Sequence, residues 1–405
     1  MRKICLLFSM ACVIFPSITL AQEECTVAVV SGKATIDGRP LLWKNRDTSF
    51  LNNEVAFFDD SRIPFIGVIN AGDRSQVWMG VNAAGFAIMN SESQDLEGDT
   101  LDAEGYFMKQ ALGECASVAA FEQLLLRTNQ TDRNTKANFG VIDSTGAAMI
   151  YETGNTTFTK FDANDSATTP LGFIARANFA KTGTGKGYGH IRYQRANELF
   201  EKLIAENRLS HETLLTGIAR DLKNDKTDPY PLPFAGSEDG HPKGCIKTHD
   251  SINRFRTASC AVFHGVLPGE SAALTTLWLI LGEPVCGVAI PLWAAAGTVP
   301  PALDGEDTAL LNEAIQRNER IVYPDTSMKN YLNTTMLMAD DWKNALPALI
   351  AFEEDVFQKT QAMVKRWRKR APKPTEVFGY EQRVATEVMQ RLSNPGPSQN
   401  SHGMK

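Results

Sequence analysis

The residues best suited to chemistry lie between Cys25 and Asp47, in the stretch CTVAVVSGKATIDGRPLLWKNRD. A cysteine becomes a nucleophile when a base can take its proton, and an N-terminal cysteine carries such a base in its own α-amine. The ordinary pKa of that amine is about 7.7 to 8.0 and that of the thiol about 8.5, so the amine can accept the proton without help from a histidine. Cys25 could instead be half of a disulfide or a small buried residue at a strand start.

The residues before Cys25 decide whether its amine can be free. Residues 1–21 have a basic start at Arg2 and Lys3, an apolar stretch and a small-residue cleavage motif ending at Ala21, which is typical of a signal peptide. Residues 22–24, Gln-Glu-Glu, would remain as a short propeptide that a second step must remove. We therefore predict a precursor that is exported to the periplasm or secreted, and trimmed until Cys25 is its first residue.

Composition excludes several classes of function. The chain has 405 residues, of which 43% are hydrophobic and 22% charged, and its formal net charge is -6. This charge provides no broad basic surface, so nucleic acid is not an expected partner. No segment after the signal peptide has the roughly 20 apolar residues of a membrane span, so stable membrane insertion is not expected either.

The other cysteines and the histidines form no recognisable site. Five cysteines follow residue 21, so at least one thiol stays unpaired even in an oxidising compartment, and a disulfide among Cys245, Cys260 and Cys286 remains open. The histidines stand singly, without His-x-x-x-His or Cys-x-x-Cys spacing. We therefore predict no metal site and no cofactor.

The elements that must position Cys25 are mainly strands. Alternating residues and a turn at Gly38-Arg39 predict a β-hairpin over the opening stretch, followed by a meander of short strands at 65–70, 76–82 and 85–91. A second hairpin is predicted over 139–152, and Ser117 is placed to cap a helix. Strands and helices come in runs, which predicts an α+β protein with antiparallel sheets and helices on their outer faces.

Four short motifs, taken in order, carry a resemblance to a known family. They are Cys25-Thr26, Asn45-x-Asp47, the GFAIMN stretch ending at Asn90, and the RANF stretch containing Asn178. Together they resemble the N-terminal nucleophile (Ntn) hydrolases of the choloylglycine hydrolase, penicillin acylase and acyl-CoA:6-aminopenicillanic acid acyltransferase (peptidase C45) group. The resemblance covers roughly Cys25 to Gly297. It implies a four-layer αββα sandwich of two antiparallel sheets and a hydrolase of linear, non-peptide amides that needs no cofactor.

The resemblance also implies roles for individual residues. Asp47 takes the place of the aspartate that contacts the terminal amine, and Asn178 and Asn90 match the two asparagines that hold the oxyanion. Arg256 resembles the arginine that closes the active-site network, although Arg254 is close enough in sequence to be its counterpart. Each of these residues also has a plain structural alternative, as a turn former or a surface ion pair.

Lys44 marks a departure from the family. Choloylglycine hydrolases usually carry an arginine at this position, three residues before the aspartate and close to the nucleophile. A lysine there argues against a specific bile-salt hydrolase, although the acyltransferase branch lacks the arginine too. We assign Lys44 to substrate binding.

The predicted organisation follows from these assignments. An Ntn hydrolase domain spans 25–300, a helical extension packed on it spans 301–392, and a disordered tail spans 393–405. The predicted activity is hydrolysis of a small-molecule amide through an acyl-enzyme on Cys25, and the alternatives are an acyltransferase or an inactive secreted binding protein. The C-terminal helices leave three roles open: a lid, a homo-oligomer contact or a structural cap.

Overall fold

The computed structural model describes residues 23–98, 103–324 and 330–394. The predicted signal peptide at 1–21, Gln22 and the tail from 395 onward lie outside the described residues. The described propeptide residues are therefore Glu23 and Glu24, which remain joined to Cys25.

Strands dominate the first 300 residues and helices the rest. The strands are β1 (Glu24–Val30), β2 (Leu41–Asp47), β3 (Asn53–Phe58), β4 (Phe65–Asn70), β5 (Met79–Asn82), β6 (Ala87–Glu92), β7 (Ala137–Ile142), β8 (Ala148–Thr153), β9 (Phe158–Asp162), β10 (Phe173–Arg176), β11 (Cys245–Lys247), β12 (Thr257–His264), β13 (Thr276–Leu281), β14 (Ile290–Leu292) and β15 (Tyr331–Asn333). The helices are α1 (Glu104–Glu114), α2 (Val118–Thr128), α3 (His190–Ala205), α4 (His211–Thr216), α5 (Glu306–Val322), α6 (Thr334–Leu337), α7 (Leu346–Lys369) and α8 (Pro374–Leu392).

The first large sheet contains the predicted hairpin at its centre. Its six strands run in the order β10-β1-β2-β12-β13-β14, and all neighbouring pairs are antiparallel. Within the hairpin, Cys25 lies opposite Arg46 and Glu24 lies opposite Asp47. The two ends of the opening stretch are therefore brought side by side.

The second large sheet is the predicted meander, extended at both ends. Its seven strands, β3 to β9, follow one another in chain order, and the 139–152 hairpin forms β7 and β8. The oxygen of the Ser117 side chain accepts a hydrogen bond from Ala120 N–H at the start of α2, as predicted. Strands β11 and β15 form a separate two-stranded sheet.

The two large sheets pack face to face with helices outside them. At the interface, a side chain at Gly140 of β7 would come within 2.9 Å of Val29 and 3.0 Å of Leu42, so the sheets approach closely there. On the other face of the first sheet, Trp43 lies against Phe200 of α3, with ring centroids 6.0 Å apart. Helices α1 and α2 cover the outer face of the second sheet. The predicted α+β class with αββα layers is confirmed.

The C-terminal helices pack on the outer side of the first sheet. Trp293, just after β14, contacts Trp367 of α7 and Tyr380 of α8, with ring centroids 5.2 and 6.3 Å apart. Residues from β1 to α8 belong to one hydrophobic core. Within residues 23–98, 103–324 and 330–394, no helix has both the length and the apolar character needed to cross a membrane.

Candidate active site

Strand alternation distributes the charged residues of the hairpin over two faces. Successive side chains of a strand point to opposite sides of its sheet, and residues opposite each other in an antiparallel pair share a side. Cys25, Lys44 and Arg46 therefore point between the two sheets, on the same side as Val29. Asp47 points to the other side, towards the helices. The two sets meet at the end of the hairpin.

The Cys25 thiol is enclosed. The residue is 1% exposed, and burial raises the pKa of the thiol to about 11. The charge of Lys44 and the backbone N–H of Asp47 oppose this rise. The five described cysteines, Cys25 included, form no disulfide. With the propeptide in place, the thiol is therefore protonated at neutral pH and reacts poorly as a nucleophile.

Asn178 contacts both Cys25 and Glu23. Its Oδ1 accepts a hydrogen bond from Cys25 N–H at 2.9 Å and another from Arg192 at 3.0 Å. Its Nδ2 donates to the carbonyl of Glu23 at 3.2 Å and to that of Glu92 at 3.1 Å. The Asn178 carboxamide thus bonds to two backbone groups on opposite sides of the Glu24–Cys25 bond: the nitrogen of Cys25 and the carbonyl of Glu23.

Asp47 has one satisfied and one unsatisfied oxygen. Its Oδ1 accepts a hydrogen bond from Thr257 Oγ1 at 2.7 Å. Its Oδ2 is buried, and no described donor lies within hydrogen-bonding distance of it. The nearest guanidinium groups, those of Arg254 and Arg192, lie 3.6 and 3.8 Å away. Burial raises the pKa of the Asp47 carboxyl to about 6.

Lys44 links the nucleophile to Asn90. Its Nζ donates to Asn90 Oδ1 at 2.7 Å and to the Trp78 carbonyl at 3.2 Å, and burial lowers the pKa of the ammonium. Because Asn90 accepts from Lys44 through Oδ1, its Nδ2 is not committed to that contact. The second asparagine is thus brought to the Cys25 side of the sheet interface.

Glu23 and Glu24, which belong to the predicted propeptide, fill the site with two carboxylates. Glu23 is 7% exposed, and its carboxylate forms an ion pair with Arg46. The Glu24 carboxylate pairs with Arg254 and with Arg192, the latter at 3.1 Å. The Arg192 Nη1 also donates to the Cys25 carbonyl at 2.7 Å. The site is thus held closed by charge pairs that include both propeptide glutamates.

Most residues singled out from the sequence meet here. Cys25, Lys44, Asp47, Asn90 and Asn178 lie together at the end of the hairpin and the facing strands. The side chain of Arg256 forms no described hydrogen bond or ion pair with them, although its charge contributes to lowering the pKa of the Glu24 carboxyl. It is half-buried and lines a neighbouring cavity of 420 Å³, while its carbonyl accepts a hydrogen bond from Thr48 N–H at 3.0 Å. The arginines beside Asp47 are Arg254 and Arg192.

The sequence interpretation missed two further arginines. Arg46 had a usable signal, because a charged residue on the inward face of a buried hairpin is rare unless it is paired. Arg192 had none. It lies in the first turn of α3 and reaches Cys25 only because that helix packs across β1, a contact that no local pattern encodes.

Several solved structures are similar to parts of this chain. A mutant conjugated bile acid hydrolase from Clostridium perfringens is 14% identical, with a TM-score of 0.40, and the match covers 66% of this chain and 92% of that one. A Caenorhabditis elegans N-acylethanolamine-hydrolyzing acid amidase ortholog is 14% identical, with a TM-score of 0.41 over 61% of this chain and 95% of that one.

A third match is the penicillin V acylase from Agrobacterium tumefaciens. It is 11% identical, with a TM-score of 0.38 over 66% of this chain and 86% of that one. The names of all three belong to the hydrolase and acylase group that the sequence resembles. No protein-family model and no curated protein matches the sequence. At these identities and TM-scores, the likeness assigns no activity to this chain.

Proposed function

We propose that this chain is an exported amidohydrolase that cleaves a linear C–N amide bond through an acyl-enzyme on Cys25. The observation that carries the proposal is the position of Asn178. It contacts the Cys25 nitrogen with Oδ1 and the Glu23 carbonyl with Nδ2, at 2.9 and 3.2 Å. Removal of residues 22–24 would convert that nitrogen into an amine and release Nδ2 to bind the carbonyl of a substrate.

The amine created by this cleavage would have a partner in Asp47. Oδ2 of Asp47 is buried, lacks a described hydrogen-bond donor and belongs to the residue opposite Glu24 in the hairpin. A carboxylate next to an amine favours its protonated form and so raises its basicity. The amine could then take the proton from the Cys25 thiol, while Lys44 favours the resulting thiolate.

The proposed reaction has two steps. The sulfur attacks the carbonyl carbon of the amide, and the thiol proton moves to the α-amine. The C–N bond then breaks, and the α-ammonium returns that proton to the leaving amine. In the second step water attacks the thioester carbonyl and gives a proton to the α-amine. The C–S bond then breaks, the α-ammonium returns that proton to the Cys25 sulfur, and the carboxylic acid leaves.

Two asparagines, one arginine and one lysine would support these steps. Asn178 Nδ2 and the Asn90 amide are the proposed donors to the oxyanion, and loss of one such donor commonly costs about 10²-fold or more in rate. In this proposal Arg254, which the sequence left open as an alternative to Arg256, closes the network, because its guanidinium lies 3.6 Å from Asp47 Oδ2. Lys44 is the proposed substrate-binding residue.

Cys25 variants test this proposal. With a panel of acyl 4-nitroanilides, Cys25→Ala and Cys25→Ser should each lower turnover by about 10³-fold or more. Cys245→Ser is the matched control and should retain activity, because this cysteine is also unpaired and lies outside the site. Unchanged turnover in both Cys25 variants would end the proposal. Product analysis with and without hydroxylamine separates hydrolysis from acyl transfer.

A further inference from the structure

Arg46 occupies a buried pocket that holds its guanidinium group in place. The residue is 0% exposed, and its guanidinium lies 4.5 Å from the centroid of the Trp78 ring. Its Nη1 donates to Asn53 Oδ1 at 3.0 Å and to Asn70 Oδ1 at 2.9 Å. These contacts fix the orientation of the group, but none of them neutralises its charge. Nη2 faces the Glu23 carboxylate.

Release of the propeptide would remove the anion from this pocket. Among the residues that the structure describes, Glu23 is the carboxylate that forms an ion pair with Arg46. Lys44, a second buried cation, lies close enough to Arg46 for the two charges to interact. A buried cation left without its partner is strongly unfavourable, so the trimmed site should attract a new anion.

The arginines around Glu24 differ in this respect. Arg192 and Arg254 lose Glu24 with the propeptide, but Asp47 Oδ2 remains 3.8 and 3.6 Å from them. Their charges therefore stay close to a carboxylate that belongs to the mature chain. The arginine that cleavage leaves without a carboxylate is Arg46.

The position of Glu23 indicates which part of a substrate would supply the new anion. Glu23 and Glu24 form the acyl side of the Glu24–Cys25 amide, and Cys25 forms its amine side. About seven covalent bonds separate the carbonyl carbon of Glu24 from the carboxyl carbon of Glu23, which is the length of a medium dicarboxylic acid. An anion bound at Arg46 would therefore belong to the acyl group, not to the leaving amine.

We propose that the mature enzyme prefers amides whose acyl group carries a distal carboxylate, bound by Arg46 against the Trp78 ring. This inference rests on the proposed amidohydrolase function and specifies its substrate class. In the precursor, the Glu23 side chain occupies the carboxylate position. The propeptide thus resembles the acyl part of the substrate that the trimmed enzyme accepts.

A matched pair of anilides tests the preference. The first compound, suberoyl 4-nitroanilide, carries a free terminal carboxylate. The second is the analogue in which a terminal carboxamide replaces that carboxylate, so it is neutral but has nearly the same shape. For the chain with Cys25 at its N-terminus, kcat/KM should be at least about 10-fold higher for the acid, as expected for a charge-assisted contact in a buried site. In Arg46→Gln the ratio should fall towards one, and Arg46→Lys should restore part of it. Arg208→Gln, an exposed control, should leave the ratio unchanged.

A binding measurement separates this inference from the proposed function. The protein is the Cys25→Ala chain that starts at residue 25, and the ligands are the peptides Gln-Glu-Glu and Gln-Gln-Glu. The second peptide lacks only the carboxylate that corresponds to Glu23. Gln-Glu-Glu should bind at least about 10-fold more tightly. Equal turnover of the two anilides, or equal binding of the two peptides, would overturn the anion site. Tight binding of Gln-Glu-Glu without turnover of either anilide would support the site and contradict the amidohydrolase function.

Discussion

Asp47 illustrates how the precursor differs from the proposed mature enzyme. A buried carboxylate oxygen without a donor is costly, and Asp47 Oδ2 is such an atom. Two guanidinium groups lie just beyond hydrogen-bonding distance and do not compensate for burial fully, since the pKa of the carboxyl is still raised. The precursor thus retains an unfavourable group whose proposed partner, the Cys25 amine, forms only after cleavage.

The buried carboxyl of Asp47 makes the stability of the precursor depend on pH. Because the pKa of the folded-state carboxyl rises from 3.8 to about 6, the protonated form is favoured on folding. The protonated Asp47 carboxyl therefore stabilises the folded state fully below pH 3.8, and this stabilisation is lost as the pH rises through about 6. At about 1.4 kcal/mol per pH unit, the loss is about 3 kcal/mol.

Urea unfolding of two uncleaved precursors measures this effect. The Cys25→Ala chain and the Cys25→Ala, Asp47→Asn chain should differ in their pH dependence, because asparagine does not titrate. Between about pH 3.5 and pH 7, the free energy of unfolding should shift by about 3 kcal/mol in favour of the asparagine variant. A shift of zero would show that folding leaves the pKa of Asp47 unchanged, and a shift of the opposite sign would show that Asp47 is stabilised as a carboxylate.

At the scale of elements, the hairpin was predictable and its surroundings were not. Alternation and the Gly38-Arg39 turn define β1 and β2, so the meeting of Cys25 with the end of β2 follows from sequence. Helix α1 was not predicted, because Gly105 and Gly113 weaken its helical signal. A side chain at Gly105 would come within 2.8 Å of Gln76, so this glycine allows the close approach of α1.

Helix α7 is joined to the hydrolase-like part by a buried ion pair. Arg220, which follows α4, donates to both oxygens of Glu353, at 2.8 and 2.9 Å. Glu353 also accepts a hydrogen bond from Ala289 N–H at 2.7 Å. No sequence pattern pairs residues so distant in the chain, which is why the mode of docking of the C-terminal helices could not be predicted.

Removal of Glu353 should therefore destabilise the whole protein. Glu353→Ala leaves the Arg220 charge buried without its carboxylate, which should lower the free energy of unfolding by about 3 kcal/mol or more. The neighbouring Glu354 is exposed, so Glu354→Ala should change the free energy of unfolding by less than about 0.5 kcal/mol. Urea titration of both variants provides the comparison, and equal midpoints would mean that α7 is not held by this pair.

At the scale of the whole molecule, the layered architecture followed from the sequence but the extent of the core did not. Runs of strands and helices predicted antiparallel sheets with outer helices, and the four αββα layers were implied by the family resemblance. The continuous core from β1 to α8 depends on long-range contacts such as those of Trp293 with Trp367, which local patterns do not specify. The same limit explains why the position of Arg254 beside Asp47 could not be predicted from the sequence.

The molecule as a whole is interpreted as a precursor closed by its own propeptide. Glu23 and Glu24 pair with Arg46, Arg192 and Arg254, and the Glu24–Cys25 bond keeps the α-amine from existing. The proposed activity therefore requires a change in covalent structure, and a change in conformation alone would not produce it.

Mass spectrometry of the working enzyme tests this account most directly. Purified protein is mixed with an acyl 4-nitroanilide that it hydrolyses, quenched in acid during turnover and digested with pepsin at low pH. We predict an N-terminal peptide that begins at Cys25 and carries the mass of the acyl group on that residue. A turning-over protein whose N-terminus is Gln22, with Cys25 unmodified, would contradict the account.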